Sequence, residues 1–598
     1  MNDLSSVKQL DADLIVVGGT PGGIMAAIAA ARRGLSVLIL ERNQHVGGLP
    51  ANGLGATDIS TRGVAAGLFK DFTQRILRHY TETYGADSEQ VEMCSDGFHF
   101  EPSVGEKVLL SMLSEHASVR VLLRRQFDAL AENLEMVHGA ITALSVTNLE
   151  TGERETYAAP GFVDATYEGD LAAASGVPFA TRREGIDDYL EPRAGVLYQP
   201  WGGTPGEGST GEGDDVIQAY NFRLCITDRP ENRVPFPKPE TYQREDYASI
   251  VEDLKANRWA GEYVYEKEWD GIGRITNIVW LPNGKTDANN QHLAWVSTDL
   301  PEENYPWPEA DWAWRDRFQQ RLQDYTLGLF WFLQNDPEVP ESFQVNAQRF
   351  GLAADEYTDN GNFPRQVYVR EGRRIWGEYT FLAHDAIPTT PGGRPPVHPD
   401  SITASHYPID SHAVRKREPG RCHLDGFLSH MTKPYTVPYG VMVPRRVDNL
   451  WVPVAISASH LGFGTLRMEP CWMAMGEAAG LAAALAQELT LPNRSVPVSH
   501  LQGALVGCGA QLIHFEGLAE NDPAYAALQI LGVRGAFPQW AVALDEDVPP
   551  GELEHWAQIA GVPAPASAVG LTRREALVLI GETLGLPAAV SPAQTVSA

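Results

Sequence analysis

Residues 13–41 constrain the fold of this 598-residue chain more than any other stretch. A short apolar run ends in the glycine-rich turn GGTPGG (18–23), an alanine-rich helix follows, and a second apolar run ends at Glu41. This order predicts a β-α-β unit that binds a dinucleotide, because the helix N-terminus attracts a pyrophosphate and the acid accepts hydrogen bonds from ribose hydroxyls.

The turn itself is irregular at one position. Gly18 permits the tight strand-to-helix turn, and Gly23 lets the helix pack close to the sheet. The middle glycine of the G-x-G-x-x-G pattern is replaced by Thr20. Its Cβ keeps the backbone further from a pyrophosphate, while its hydroxyl offers a donor to a phosphate oxygen.

A second glycine pair, Gly47-Gly48, follows the acid and leads into further glycines. Glycine removes the Cβ that would clash with a large planar ring, so this loop favours FAD over a nicotinamide dinucleotide. A second landmark is the pair Ala165-Thr166, which closes a strand before an acid-rich turn. A nicotinamide-binding domain with a glycine-rich loop is the alternative.

Composition sets further limits. The length predicts two or three domains, and 43% hydrophobic with 21% charged residues is typical of a soluble globular protein. No apolar stretch reaches the roughly 20 residues that span a bilayer. The net charge of −30 disfavours nucleic acid and anionic membranes as partners. Five scattered cysteines without metal-binding spacing, and no signal-like N-terminus, predict a cytoplasmic protein without a metal.

The distribution of motifs predicts an α/β fold with a discontinuous, Rossmann-like FAD-binding domain. Residues 1–175 form its first part, and a strand and a long helix within residues 441–495 complete it. Residues 176–440, rich in proline and tryptophan, are expected to form an inserted α+β substrate domain with long loops. Residues 496–598 are expected to form a helical extension, which serves as a cap or as a contact in a homo-oligomer.

Several sequence blocks occur in one order: FEPSVGE (100–106), FVDATYEGDLAA (162–173), YPIDSH (407–412) and ISASHLGFGTLRMEP (456–470). With them the chain resembles bacterial FAD-dependent oxidoreductases of the glutathione-reductase-like superfamily, which has two dinucleotide-binding folds. Some of these proteins carry the name xanthan lyase. The resemblance covers residues 12–490 and implies FAD and redox chemistry, with no particular substrate.

Twenty positions are expected to contact FAD, through the two glycine-rich turns, the ribose acid, the adenine side and the segment before the last long helix. They are Gly18, Gly19, Thr20, Pro21, Gly22, Gly23, Glu41, Arg42, Gly47, Gly48, Leu49, Asn52, Gly53, Gly55, Phe127, Ala165, Thr166, Ser459, Arg467 and Met468.

Three residues are the candidates for catalysis. His460 and His412 have the residue type whose ordinary pKa suits proton transfer near neutral pH, and Arg467 could hold the flavin or an anionic group of the substrate. A structural role for His460 is the alternative. Since a flavin supplies the hydride acceptor, we expect dehydrogenation of a polar small molecule, with a carbohydrate or polyol favoured. The sequence does not identify the electron acceptor.

Two other functions stay open. One is a flavin monooxygenase or reductase that runs on externally supplied electrons, and the other is a flavoprotein with structural FAD and a partner-binding tail. Arg373, Arg374 and Glu378 form either a substrate clamp or a salt-bridge network. His45 makes either a loop contact or a covalent flavin link.

Four tryptophans also have two interpretations. They form either a sugar-stacking wall or part of a helix core: Trp307, Trp312, Trp314 and Trp331.

Overall fold

The computed structural model describes residues 10–200, 203–261, 271–564 and 570–586. The strands in these ranges are β1 (Leu14–Val17), β2 (Val37–Leu40), β3 (Val119–Leu122), β4 (Arg125–Gln126), β5 (Leu134–Val137), β6 (Ala140–Asn148), β7 (Arg154–Ala158), β8 (Gly161–Asp164), β9 (Phe179–Ala180), β10 (Leu224–Thr227), β11 (Arg233–Val234), β12 (Thr276–Leu281), β13 (Lys285–Asn290), β14 (Gly351–Ala353), β15 (Arg374–Ile375), β16 (Ser401–Ser405), β17 (Ile409–Ser411), β18 (Leu428–His430), β19 (Tyr435–Pro438) and β20 (Leu450–Trp451).

The α-helices in the same ranges are α1 (Pro21–Arg32), α2 (Gly67–Tyr84), α3 (Glu89–Met93), α4 (Pro102–Ser114), α5 (Asp170–Ala174), α6 (Ile186–Tyr189), α7 (Ile250–Lys255), α8 (Trp312–Asn335), α9 (Glu341–Ala347), α10 (Ala383–Ala386), α11 (His460–Leu466), α12 (Glu469–Leu489), α13 (Val498–Gly507), α14 (Tyr525–Val533), α15 (Glu552–Ala560) and α16 (Arg573–Thr583).

A five-stranded parallel sheet with the order β20-β8-β1-β2-β3 carries the predicted dinucleotide motif. Strands β1 and β2 are buried along their whole length, as continuous apolar runs are in a parallel sheet. The β-α-β unit of β1, α1 and β2 is therefore confirmed. The partner of β8 at the edge is β20, which lies almost three hundred residues further along the chain.

The long helix α12 packs against α1 at very short backbone distance. A Cβ on Gly476 would lie 2.0 Å from the carbonyl oxygen of Gly22, and one on Gly480 would lie 2.1 Å from that of Ala26. The alanines of both helices fill the rest of this contact. Small residues on both sides allow this approach, which ties residues 469–489 to the N-terminal unit.

Two antiparallel sheets complete the part of the fold around the site. Strands β5, β6 and β7 form an antiparallel meander, and β4 also pairs with β6. A second five-stranded sheet has the order β11-β14-β10-β13-β12, and all its pairings are antiparallel. Helices α13 to α16 follow the last strand of the parallel sheet.

The mixed α/β fold with a parallel sheet agrees with the predicted Rossmann-like class. The strand predicted within residues 441–495 is β20, which has only two residues. The division of the chain into domains stays a prediction. None of the helices in the described part of the chain has the length and apolar character needed to cross a membrane.

The close contact between α1 and α12 predicts that one added methyl group at residue 480 destabilises the protein. We expect Gly480→Ala to lower the thermal unfolding midpoint by several degrees, because overpacking against the backbone of Ala26 costs about 1–3 kcal/mol. Gly503→Ala in α13 is the control, since no atom lies within 4 Å of its Cβ position. Scanning calorimetry checks both variants, and equal midpoints for the two would contradict the proposed close packing.

Candidate active site

A cavity opens where β1 and β2 end. It is lined by Val17, Gly18, Thr20, Leu40, Glu41, Arg42, Asn43, Arg125, Phe127, Thr166, Tyr167, Glu168, Asp170, Trp307, Trp312, Gln319, Arg365, Gln366, Val367 and Val369. Six of these were predicted to contact the cofactor: Gly18, Thr20, Glu41, Arg42, Phe127 and Thr166. Ligands of open α/β sheets bind at this edge.

The glycines of the first turn are required by backbone contacts. Gly18 has a φ of +100°, and a Cβ on it would lie 2.8 Å from the carbonyl carbon of Ala165. A Cβ on Gly23 would lie 2.1 Å from the carbonyl oxygen of Gly18. The turn therefore excludes larger residues at both positions, and it brings α1 against the end of β8.

Thr20 has a structural role that the glycine-rich pattern does not reveal. Its hydroxyl donates to the carbonyl oxygen of Ala165 at 2.8 Å and accepts from the N–H of Gly23 at 3.2 Å. Thr20 is thus the N-cap of α1. The proton of this hydroxyl is used within the protein, and a contact of Thr20 with a phosphate oxygen stays a prediction.

Glu41 is the buried acid at the end of β2. Its Oε2 accepts from the N–H of Gly19 at 2.6 Å, and its Oε1 accepts from the N–H of Asn43 at 2.7 Å. Burial raises the pKa of Glu41, and the two N–H groups partly offset this. The carboxylate is therefore held in a fixed orientation on the wall of the cavity.

The second glycine pair faces protein atoms. A Cβ on Gly48 would lie 2.4 Å from the hydroxyl oxygen of Tyr167 and 2.7 Å from Cδ of Pro21. Asn52 donates to the carbonyl oxygen of Gly48 at 2.8 Å and accepts from the N–H of Arg365 at 3.0 Å. Close packing therefore explains Gly48.

The remaining predicted cofactor residues lie outside the cavity lining: Gly19, Pro21, Gly22, Gly23, Gly47, Gly48, Leu49, Asn52, Gly53, Gly55, Ala165, Ser459, Arg467 and Met468. His45 is also outside it, and its ring pairs with Glu106 at 2.6 Å and Asp359 at 3.0 Å.

The carboxyl of Glu469 is buried at the start of α12. Its Oε1 accepts from the Tyr167 hydroxyl at 2.5 Å, and its Oε2 has no hydrogen-bond partner among the described residues. The same Tyr167 hydroxyl accepts from the N–H of Leu49 at 3.2 Å. Burial raises the pKa of Glu469 to about 8, so the group keeps its proton at neutral pH.

Residues of strand β17 contact all three catalytic candidates. Asp410 and Ser411 point to opposite faces of this strand, since side chains alternate along it. On one face, Asp410 Oδ2 lies 2.8 Å from Arg467 Nη2 and 3.4 Å from His412 Nε2. On the other face, Ser411 Oγ lies 3.0 Å from His460 Nε2. The two histidines therefore belong to different buried networks.

The first network is called the Asp410 cluster and consists of Asp299, Tyr368, Arg370, Asp410, His412 and Arg467. His412 Nδ1 lies 2.8 Å from Asp299, which pairs with Arg370 at 2.8 Å. Although burial alone would raise it, His412 and Arg467 lower the pKa of Asp410 to about 2. Four buried atoms of the cluster have no hydrogen-bond partner among the described residues, namely Asp299 Oδ1, Arg370 Nε, Asp410 Oδ1 and Arg467 Nε, although Asp299 Oδ1 lies in the ion pair with Arg370.

The second network surrounds His460. Its Nδ1 lies 2.8 Å from Glu371, and its backbone N–H donates to Glu184 at 2.8 Å. Burial raises the pKa of Glu371, but His460 and Arg374 bring it down to about 2. Both ring nitrogens of His460 have protein partners, whereas Nε2 of His412 has one only at 3.4 Å.

The structure distinguishes between the two interpretations given for the arginine pair and for the four tryptophans. Arg373 pairs with Asp170 at 2.6 Å, and Arg374 pairs with Glu184 at 2.9 Å, so these arginines form a salt-bridge network. Trp314 stacks on Phe318 and Trp331 packs on Tyr242, as in a helix core. Trp307 and Trp312 instead line the cavity. No motif links these tryptophans to residues 18–41, which is why the sequence did not predict their position.

A parallel sheet with a glycine-rich turn, a capped helix and a buried acid at its carboxyl edge defines a Rossmann-like dinucleotide-binding protein. Residues 13–505 match the family model described as FAD dependent oxidoreductase, and the chain belongs to this family. It is therefore an FAD-dependent oxidoreductase. The lining of the cavity is suited to the ADP part of FAD, since it contains the fixed carboxylate of Glu41 and residues of the glycine-rich turn at the start of α1.

Curated relatives share only short segments with this chain. A mitochondrial dihydrolipoyl dehydrogenase of Caenorhabditis elegans is 50% identical over 42 residues, which are 7% of this chain and 8% of that protein. A 4-oxocyclohex-2-ene-1-carboxylate 5-dehydrogenase of Sinomonas cyclohexanicum is 35% identical over 83 residues, 13% of this chain and 14% of that protein. The chain thus spans less than a sixth of either relative.

Solved structures overlap this chain weakly. The glycerol-3-phosphate dehydrogenase from Bacillus halodurans complexed with FAD has 12% identity and a TM-score of 0.20, with 35% of this chain and 45% of that chain covered. A 3-ketosteroid-delta4-(5alpha)-dehydrogenase from Rhodococcus jostii RHA1 has 15% identity and a TM-score of 0.20, with 31% and 59% covered.

The raised pKa of Glu469 predicts a pH-dependent stability. A carboxyl with a folded pKa of about 8 and an ordinary value of 4.5 binds its proton more tightly in the folded protein. Its contribution to stability is therefore present at low pH and is lost as the pH rises from about 4.5 to about 8. We expect Glu469→Gln to gain in thermal midpoint over the native protein across this range.

Melting curves of the apoprotein between pH 5 and pH 9 check this expectation. The control is Glu488→Gln, at the exposed end of the same helix. A constant difference between Glu469→Gln and the native protein at all pH values would show that Glu469 is ionised throughout.

Proposed function

We propose that this FAD-dependent oxidoreductase dehydrogenates a neutral, hydroxyl-rich small molecule, a polyol or a carbohydrate, at the Asp410 cluster. The observation that carries the proposal is that buried polar atoms of this cluster lack hydrogen-bond partners among the described residues, among them the acceptor Asp410 Oδ1 and the donor Arg467 Nε. A hydroxyl group both donates and accepts, so one or two hydroxyls of a substrate satisfy both atoms.

The charges of the cluster support a neutral substrate. Arg467 lies beside Asp410 and Arg370 lies beside Asp299, so each guanidinium already has a carboxylate partner. An anionic substrate would add an unbalanced charge to a buried site, and this is costly. A polyol adds hydrogen bonds and no charge.

We propose that the cavity holds the ADP part of FAD. The Glu41 carboxylate would bind the ribose, and the turn at residues 18–23 would hold the pyrophosphate at the start of α1. The loop at residues 47–55, with Ser459, Arg467 and Met468, would lie on the flavin side. When bound, FAD supplies the acceptor for the hydride that the substrate loses.

His412 is the proposed acceptor of the hydroxyl proton. Asp299 at 2.8 Å fixes the Nδ1 side of its ring, while Nε2 has only the 3.4 Å contact with Asp410 Oδ2 and is the nitrogen proposed to take the proton. Arg467, held by Asp410 and by the Tyr368 hydroxyl, would orient the substrate oxygen. His460, whose ring nitrogens contact Glu371 and Ser411, is the second candidate for the proton acceptor.

We also propose the finer relationships that the sequence predicts. The chain would be a member of the glutathione-reductase-like superfamily, close to the proteins called xanthan lyases, with an FAD-binding domain interrupted by a substrate domain. The parallel pairing of β20 with β8 and the packing of α12 on α1 support an FAD-binding domain assembled from both ends of residues 12–490.

Anaerobic mixing of the FAD-loaded protein with candidate substrates tests the function. We expect polyols or sugars to bleach the flavin absorbance, and His412→Ala to slow the bleaching by about 10²-fold or more, as loss of a general base does. Rapid-scan absorbance measures the rates.

The exposed His384 supplies the control, and His384→Ala should react at the native rate. His460→Ala separates the two histidines, because a loss confined to this variant would assign the base to His460 instead. Reduction by dithionite shows that the bound flavin can be bleached. If amines or NADPH also bleach it and no hydroxyl compound does, the proposed substrate class is overturned.

A further inference from the structure

Arg42 is held as a flat plate at the wall of the cavity. One face of its guanidinium lies over the ring of Trp312, with Cζ 4.1 Å from the ring centre. Its Nε donates to Gln126 Oε1 at 2.9 Å, and its Nη2 donates to both carboxylate oxygens of Asp316 at 2.7 and 2.8 Å. These contacts use one face of the guanidinium together with Nε and Nη2, so its second face and Nη1 have no partner among the described residues at the wall of the cavity that Arg42 lines.

Trp312 is itself fixed from two sides. Its indole N–H donates to the carbonyl oxygen of Phe127 at 3.0 Å. The guanidinium of Arg315 also lies over its ring, at 4.7 Å, and is anchored on Asp170. A ring with these contacts cannot rotate freely, so it keeps the orientation of the Arg42 plate constant.

The parts of this plate come from distant segments. Arg42 follows β2, Gln126 ends β4, and Trp312 and Asp316 lie one turn apart at the start of α8. Helix α8 is thus the element that supplies the backing ring and the carboxylate clamp. Phe127, the residue predicted on the adenine side, has its carbonyl oxygen engaged by Trp312.

We propose that the Arg42 plate is the stacking surface for the adenine ring of FAD, and that Trp312 and Asp316 are positioning residues that hold it flat. Guanidinium planes stack on nucleobases as well as on aromatic side chains. The inserted middle region of the chain therefore takes part in cofactor recognition through α8. This inference rests on the proposed location of the ADP part of FAD in the cavity.

Titration of apoprotein with FAD, followed by flavin fluorescence, measures the effect. We expect Arg42→Lys to weaken FAD binding by about 10-fold, because lysine keeps the charge and loses the plane. Trp312→Leu should weaken it by a similar factor, since the plate loses its backing. Trp312→Phe should recover most of the affinity, because it restores a ring beneath Arg42. The loss in Arg42→Lys should not depend on salt, as stacking is not screened.

Trp314→Leu is the matched control, two residues along the same helix and outside the cavity lining, and it should bind FAD like the native protein. Native affinity in Arg42→Lys, or equal losses in Trp312→Phe and Trp312→Leu, would overturn the stacking role. Glu41→Ala tests the location of FAD separately. If this variant binds FAD normally, the proposed location is wrong; if only it loses affinity, the location stands and the stacking role fails.

Discussion

The backbone contact between α1 and α12 is the constraint on which the rest of the site depends. Gly476 and Gly480 let α12 lie directly on residues 22–26, so a helix near residue 480 becomes part of the unit that begins at residue 14. The residues just before α12 are then fixed relative to the glycine-rich turn. Without this approach, Glu469 at the start of α12 would not reach Tyr167, which follows β8.

From this contact the positions of the polar groups follow. The start of α12 carries Glu469 to Tyr167, and Arg467 just before it reaches Asp410 on β17. Strand β17 in turn separates the environments of the two histidines, because Asp410 and Ser411 point to opposite faces. The Asp410 cluster lies on one face, with buried polar atoms that lack hydrogen-bond partners among the described residues. His460 lies on the other face, next to Ser411.

Local patterns were sufficient for the dinucleotide unit and for the long helix α12. Strands β1 and β2 are short, fully buried apolar runs, so their pattern identified them. The position of the buried acid Glu41 was predictable because its distance from the glycine turn is set by one helix and one strand. The lining of the cavity by Trp307 and Trp312 was not, since it depends on a contact between segments about 270 residues apart.

The sequence by itself determined the class of protein: the turn at residues 18–23, the acid Glu41 and the ordered motifs up to residue 486 indicate an FAD-dependent oxidoreductase, because each is a local requirement of backbone and cofactor chemistry. Only the tertiary structure decided the tasks of single side chains. In the folded protein the Thr20 hydroxyl caps α1, and the Tyr167 hydroxyl packs against Gly48. His412 and His460 lie in separate networks. Such choices depend on which distant groups meet in the core, and no local pattern records them.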